Sequence, residues 1–262
     1  MLKTTIITVV YNAVDKIRAT IESVVGQDHN NIEYIIKDGG SSDGTLEIIG
    51  EYLDQYSNMK LIEGCDRGIY DAMNVALNEA TGDIIEFLNA GDRFASSDVV
   101  SKAVLALCNT KSDIVYGDVL YENENGTTNV RAYTKSCSCI LYFLTGDVIN
   151  HQAMFAKKKL FDENRFDISY KICADREWMM RTGAYRPKCR MAALGFTVVI
   201  YPLDGVSVIN KDCYKREAST CVKKYLPWGY WVYTVFELLR SNKKSSDILH
   251  SIYKCVFFKD RV

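Results

Sequence analysis

Short apolar runs alternate with amphipathic segments through the first third of the chain. The four runs predict β-strands, and the three segments between them predict helices with one apolar face. The predicted strands lie at residues 4–10, 32–37, 59–63 and 84–88, and the predicted helices at 14–25, 45–56 and 68–80. This alternation is typical of a parallel sheet whose strands are joined by right-handed helical crossovers.

The pattern changes after residue 95 and predicts a mixed second half. Expected elements are a helix at 96–107, strands at 114–116 and 153–156, a hairpin turn at 123–126 and a helix at 173–182. No internal repeat and no Pro- or Gly-rich linker separates the two halves. We therefore expect one continuous sheet, with residues 1–95 and 96–210 as two halves of a single domain.

Residues 211–262 form a basic extension, which contains eleven Lys and Arg against five Asp and Glu. Its apolar, aromatic stretch at 226–239 is too short to span a bilayer, which takes about 20 residues. Trp and Tyr flanked by Lys and Arg suit a membrane interface with anionic lipids. Helices that pack on the core or on a second copy of the chain explain the same stretch equally well.

Composition narrows the class of protein. The chain has 262 residues, of which 48% are hydrophobic and 25% charged, as in ordinary globular proteins, and its net charge of −1 argues against nucleic-acid binding. Nine Cys without a recognisable signal peptide favour a reducing, cytoplasmic location. Cys137 and Cys139 lack a second pair at zinc-ligand spacing, so we expect no zinc site.

Polar residues follow three of the predicted parallel strands. The first strand leads into Tyr11, the second into Asp38, and the fourth into a turn that contains Asn89 and Asp92. Open α/β sheets bind ligands at the carboxyl ends of their strands. A carboxylate such as Asp92 suits a divalent cation there. The loop that contains Asp38 could also simply cap the helix that follows it.

Two further candidates lie in the second half, and each has a structural alternative. His151 stands at the entrance of a predicted strand, where a lone His is more often structural than catalytic. Asp175 and Glu177 occupy the first turn of a predicted helix, where the helix dipole favours acidic residues regardless of function.

Taken in order, these segments resemble family 2 glycosyltransferases over about residues 4–185. The resemblance implies an inverting enzyme with the α/β GT-A fold, which is a Rossmann-like, mostly parallel central sheet flanked by helices, here with a helical C-terminal extension. It implies a donor half at 1–95, an acceptor-binding and catalytic half at 96–210, and Asp175 as the catalytic base with Glu177 as second choice. The donor-binding residues that it implies are Thr8, Val10, Tyr11, Asp38, Arg67, Asn74, Asn89, Ala90 and His151.

The chain departs from the family at the metal-binding motif. Family members usually have Asp-x-Asp at the end of the fourth strand, whereas this chain has Asn89 and Gly91 at those positions and Asp92 as the only carboxylate. This marks a subgroup with Asn-Ala-Gly-Asp. Asp92 is then the candidate ligand for Mn²⁺ or Mg²⁺, since a magnesium site can have a single carboxylate plus substrate phosphates. Alternatively, Arg67, a Lys or His151 neutralises the diphosphate and the metal is dispensable.

The resemblance implies transfer of a hexosyl or N-acetylhexosaminyl group from a nucleotide-sugar, with UDP indicated by Asp38. The acceptor would be a hydroxyl of a glycan or a lipid-linked glycan in bacterial surface polysaccharide synthesis, and a basic extension on the inner face of the membrane would fit it. The missing Asp-x-Asp leaves open a degenerate nucleotide-binding or scaffold protein. A nucleotidyltransferase is less compatible, because the first turn lacks a Gly-rich, basic phosphate loop.

Overall fold

A computed structural model describes residues 2–122, 128–131, 143–144, 149–183, 189–202 and 210–241. The strands in these ranges are β1 (Thr4–Val10), β2 (Ile32–Asp38), β3 (Met59–Ile62), β4 (Ile84–Phe87), β5 (Arg93–Phe94), β6 (Ile114–Glu122), β7 (Thr128–Arg131), β8 (Met154–Lys157) and β9 (Met191–Pro202). The helices are α1 (Ile17–Val25), α2 (Thr45–Leu53), α3 (Ile69–Glu79), α4 (Val99–Thr110), α5 (Lys158–Glu163), α6 (Ala174–Arg181), α7 (Lys211–Tyr225) and α8 (Tyr230–Ser241). Short 3₁₀ turns at His151–Ala153 and Pro227–Gly229 precede β8 and α8.

The first half forms the parallel part of the sheet, in the order β3-β2-β1-β4. Strand β1 is buried along its whole length, because it lies between β2 and β4 and is covered by helices. The predicted strands and helices are confirmed with shifts of a few residues at their ends. All four strands run in one direction, so the turns that follow them meet at one edge of the sheet.

The second half continues the same sheet. Strand β8 pairs antiparallel with both β4 and β6, and β9 pairs parallel with β6 and antiparallel with β5. One continuous, mixed sheet is therefore confirmed. The predicted strand at 114–116 is longer than expected, because the register of β6 against β9 shifts around Gly117 and pairing then resumes.

Gly117 permits this shift. A Cβ atom at that position would lie 2.8 Å from the carbonyl oxygen of Phe196 and would overlap Val198, so only glycine fits. Strand β7 pairs antiparallel with the end of β6, as in the predicted hairpin, while the turn at 123–126 lies outside the described residues. Cys137 and Cys139 also lie outside them.

An aromatic cluster fixes α6 against the parallel sheet. The rings of Phe161 and Trp178 stack with centroids 4.4 Å apart, and Phe87 on β4 packs edge-on against Phe161 and Phe166 at 5.4 Å. The indole N–H of Trp178 donates to the carbonyl oxygen of Asn164 at 2.6 Å. Stacked and edge-on pairs of this kind stabilise a fixed geometry, and α6 begins beside the carboxyl edge of the sheet as a result.

Helices α7 and α8 form the described part of the C-terminal extension, whose predicted helical character is confirmed there. Helix α7 packs on α6 through the buried Ala218, Cys221 and Val222. The buried carboxylate of Glu177 pairs with Arg181 and accepts a hydrogen bond from the Tyr225 hydroxyl. None of the described helices combines the length and the apolar character of a membrane-spanning segment.

Candidate active site

A cavity of about 390 Å³ opens at the carboxyl edge of the parallel strands. Its walls are formed by the loops after β1 and β4, the start of α3, the turn before β8, the start of α6, the end of β9 and helix α7. The residues that line it are Val9, Tyr11, Asn12, Ala13, Lys16, Ile69, Tyr70, Asn89, Ala90, Gly91, Asp92, Asn150, His151, Gln152, Lys171, Ile172, Asp175, Arg176, Tyr201, Pro202 and Tyr214.

Hydrogen bonds connect the loops after β1 and β2 beside this cavity. The Asn12 backbone N–H donates to the Ser41 hydroxyl at 2.8 Å, and the Ser42 N–H donates to the Asn12 side-chain oxygen at 2.9 Å. The buried carboxylate of Asp38 accepts from the N–H groups of Gly40 and Ser41 at 2.8 and 2.9 Å. Asp38 therefore organises the loop and does not line the cavity.

Tyr11 stands at the rim of the cavity with 66% of its surface exposed. A Cβ atom on Gly39 would lie 3.5 Å from the Tyr11 side chain and 3.1 Å from the Asp66 carboxylate, so the glycine keeps this approach open. The exposed ring and the open backbone together suit the stacking of a planar group.

Five of the predicted donor-binding residues lie outside the cavity lining, Asp38 among them. The buried Thr8 hydroxyl donates to the Leu88 carbonyl at 2.7 Å and ties β1 to β4, while Val10 is buried in the core. Asn74 exchanges two hydrogen bonds with the backbone of Phe166, at 2.9 and 3.0 Å. The side chain of Arg67 is 75% exposed and pairs with Asp71.

Three predicted residues form a hydrogen-bonded chain at the cavity wall. The Asn89 side-chain nitrogen lies 3.1 Å from His151 Nε2, and His151 Nδ1 lies 3.0 Å from Asp175 Oδ2. With the Asn89 NH₂ placed as the donor, Nε2 is the acceptor and Nδ1–H is the donor. His151 thus donates its Nδ1 proton to the Asp175 carboxylate.

The Asp175 carboxylate is ionised although it is mostly buried. Burial alone would raise its pKa, but the hydrogen bonds from His151, the Arg176 backbone N–H and Tyr70 hold the pKa below its usual value. Tyr70 remains a hydroxyl donor, because burial raises the pKa of its phenol well above the usual range. An ionised, oriented carboxylate at a cavity wall can accept a proton.

Asp92 is the carboxylate that the loop after β4 contributes to the cavity. It is buried, and burial of Glu86 together with the Asp92 charge raises the pKa of the Glu86 carboxyl well above its usual value. Within the described residues no three His, Cys, Asp or Glu side chains cluster as a metal cage would require. One carboxylate beside a cavity fits a cation that is held mainly by substrate phosphates and not by the protein alone.

The structure adds cavity residues that sequence patterns did not single out. Lys16 and Lys171 bring positive charge, Tyr70 contacts Asp175, and Tyr214 on α7 closes one side. Lys16 could have been found, because it lies at the start of α1 and so at the ligand-binding edge of the sheet. Tyr214 comes from the extension and carries no local signal of a role in the cavity.

The family comparison matches residues 5–184 to the model of Glycosyl transferase family 2, and the chain belongs to this family. An "uncharacterized glycosyltransferase" of Mycobacterium tuberculosis (strain H37Rv) is 31% identical over 179 residues, which are 67% of each chain. A "PGL/p-HBAD biosynthesis glycosyltransferase" of Mycobacterium bovis (strain BCG) is 31% identical over 166 residues, which are 62% of each chain.

Solved structures show that the fold is of the GT-A type. S. aureus TarS 1–349 in complex with UDP-GlcNAc superposes with a TM-score of 0.70 at 18% identity, over 90% of this chain and 71% of that one. The mannosyltransferase PcManGT from Pyrobaculum calidifontis, in complex with GDP-Man and Mn²⁺, gives 0.64 at 15% identity, over 95% and 79%. The predicted fold class and the predicted family are confirmed.

Proposed function

We propose that the protein is an inverting glycosyltransferase that moves a hexosyl or N-acetylhexosaminyl group from a UDP-sugar to a hydroxyl of a glycan or lipid-linked glycan. The observation that carries the proposal is the ionised Asp175 carboxylate at the cavity wall, oriented by His151. The UDP-GlcNAc complex of TarS supports the donor class, and the name of the M. bovis relative supports a bacterial glycan pathway.

Asp175 would act as the general base. The acceptor oxygen forms a bond to the anomeric carbon while the bond from that carbon to the diphosphate oxygen breaks, and the hydroxyl proton passes to Asp175. General-base catalysis of this kind contributes about 10²- to 10⁴-fold. Glu177 is the weaker candidate, because its carboxylate is already paired with Arg181 away from the cavity lining.

The leaving diphosphate needs positive charge near the loop after β4. Mn²⁺ or Mg²⁺ held by Asp92 would supply this charge, since a divalent cation stabilises charge that develops on phosphate oxygens. Lys16 and Lys171 also line the cavity and supply cationic side chains. Arg67 is less suited in this conformation, because it is exposed and pairs with Asp71.

Residues 1–95 would hold the donor and residues 96–210 would hold the acceptor and the base. In this division Tyr11, Asn89 and Ala90 contact the donor directly, because they line the cavity. Asp38 and Asn74 would act indirectly, by fixing the loop after β2 and the position of α3.

Calorimetry and a transfer assay on the same protein test this function. UDP and GDP are titrated with Mn²⁺ and then with EDTA, and UDP-sugars are screened with glycan acceptors. We expect Asp175→Asn to lose at least about a hundredfold in transfer, because the base is lost, while UDP affinity stays unchanged. Transfer by the Asn variant at the wild-type rate would contradict the assignment, and absence of UDP binding and turnover would favour a degenerate scaffold.

The metal assignment is tested within the same titration. We expect Asp92→Ala to weaken Mn²⁺-dependent UDP binding, because the proposed protein ligand is removed. If UDP binds equally well with Mn²⁺ and with EDTA, the diphosphate is instead neutralised by the cationic side chains of Lys16 and Lys171.

We further propose that the protein meets the cytoplasmic face of a membrane through an aromatic stripe, defined as Trp228, Trp231, Val235 and Leu238. All four side chains are exposed, and the last three recur at helical spacing on α8. The exposed Lys223 shortly precedes the stripe in the chain and favours anionic lipid headgroups. A surface of this kind would place the cavity near a lipid-linked acceptor.

A further inference from the structure

Helix α7 lies outside the segment that the family model matches, yet it contacts the main chain that leads into Asp175. The family segment ends at residue 184, and α7 spans Lys211–Tyr225. The carboxylate of Glu217 on α7 accepts hydrogen bonds from three successive backbone N–H groups. These are the N–H groups of Lys171, Ile172 and Cys173, each at 2.9 Å.

The same piece of backbone is held from its other side by the first half of the protein. The Tyr70 hydroxyl on α3 donates to the Ile172 carbonyl at 2.6 Å and shares the same proton with Asp175 Oδ1 at 3.1 Å. Residue 172 is therefore fixed through its N–H by Glu217 and through its carbonyl by Tyr70. Asp175 follows three residues later, so the position of its carboxylate depends on this anchored segment.

Helix α7 also borders the cavity directly, since Tyr214 lines it and lies one turn before Glu217. The Tyr214 hydroxyl is 3.4 Å from the Arg176 guanidinium, and its carbonyl lies 3.6 Å from the Cys173 thiol. The contact between α7 and the start of α6 is thus continuous along one helical turn.

We propose that Glu217 is a positioning residue for glycosyl transfer, which fixes residues 171–173 and thereby aims the Asp175 carboxylate at the acceptor hydroxyl. This inference rests on the proposed function. It assigns to the C-terminal extension a part in the active site, in addition to any contact with a membrane. Hydrogen bonds to a charged acceptor are the stronger kind, so one side chain can hold three amides.

Glu217→Gln is the test, with Asp212→Asn as the matched control. Both substitutions remove one negative charge from α7, but Asp212 is exposed and does not line the cavity. We expect Glu217→Gln to lower kcat about ten- to a hundredfold, since a misplacement of about 1 Å costs roughly 10²-fold. Donor KM and UDP affinity should stay at the wild-type values, and the control should transfer normally.

A wild-type kcat for Glu217→Gln would overturn the inference, as would a fall in kcat matched by an equal loss of UDP affinity. Should the Gln variant fail to fold, Glu217→Asp replaces it, because it keeps the charge but withdraws it by one methylene. The same fall in kcat at constant donor KM is expected, and normal turnover would again overturn the inference. If Asp175→Asn transfers sugar normally, both the proposed function and the inference fail. If Asp175→Asn is inactive but Glu217→Gln transfers sugar normally, the proposed function stands and only the inference fails.

Discussion

His151 has two possible roles, and its hydrogen bonds separate them. The resemblance places it at the donor phosphates, whereas the structure places it between Asn89 and Asp175. The hydrogen bond from Nδ1 lowers the pKa of the Asp175 carboxyl. This contact favours a role for His151 in orienting Asp175, the proposed base.

We predict that His151→Gln lowers kcat about ten- to a hundredfold, because it removes the donor that orients Asp175, and that His151→Asn costs less. An Asn side chain can still place an N–H near the position of Nδ1. Loss of the donor raises the pKa of Asp175, so the acidic limb of kcat/KM should move to higher pH in the Gln variant. Rate–pH profiles of both variants measure this shift.

His29→Gln serves as the control, because His29 is also buried but contacts the Leu2 carbonyl and does not line the cavity. Its pH profile should match the wild type. A His151→Gln variant with an unmoved acidic limb and a raised donor KM would instead assign His151 to the donor phosphates.

Individual side chains were the least predictable part of the site. Thr8 and Asn74 were expected at the donor, but their polar groups bond to the Leu88 and Phe166 backbones. A motif gives the position of a residue in the chain and not the direction of its side chain. The contacts of Glu217 and Tyr214 cannot be predicted from the sequence, because α6 and α7 are separate in the chain and come together only in the tertiary structure.

At the scale of elements, the approach of β6 to β9 depends on Gly117. We predict that Gly117→Ala lowers the free energy of unfolding by about 1–3 kcal/mol, because the added methyl overlaps Val198 and a backbone oxygen that cannot move independently. Urea unfolding measures the effect as a lower midpoint with an unchanged m value.

Gly50→Ala is the matched control, since nothing lies within 4 Å of a Cβ atom there and the position is inside α2. The same methyl group should stabilise the protein by about 0.5–1 kcal/mol, because Ala loses less conformational freedom in a helix. Equal stability of Gly117→Ala and wild type would show that β6 and β9 lie farther apart than described.

Elements of the first half were predictable because strand and helix periods are local properties of the sequence. The second half was less so, as β6 illustrates: its pattern predicted residues 114–116, whereas pairing across the shift at Gly117 carries it to Glu122. A register shift is decided by the neighbouring strand, here β9, whose paired residues lie 77 to 80 positions after those of β6. No window of sequence contains both strands.

For the molecule as a whole, variants of the aromatic stripe distinguish membrane binding from self-association. We predict that Trp231→Ser combined with Leu238→Ser weakens binding to anionic vesicles at low salt by at least about tenfold, because each large apolar side chain contributes about 1.5–3 kcal/mol when buried. Leu105→Ser on α4 is the control, since Leu105 is 60% exposed but lies outside the stripe. Vesicle flotation measures binding, and salt should weaken it by screening the lysines. The opposite outcome is a wild-type protein that does not bind vesicles and sediments as a dimer, with a double variant that sediments as a monomer. That outcome would assign the stripe to contact with a second copy of the chain.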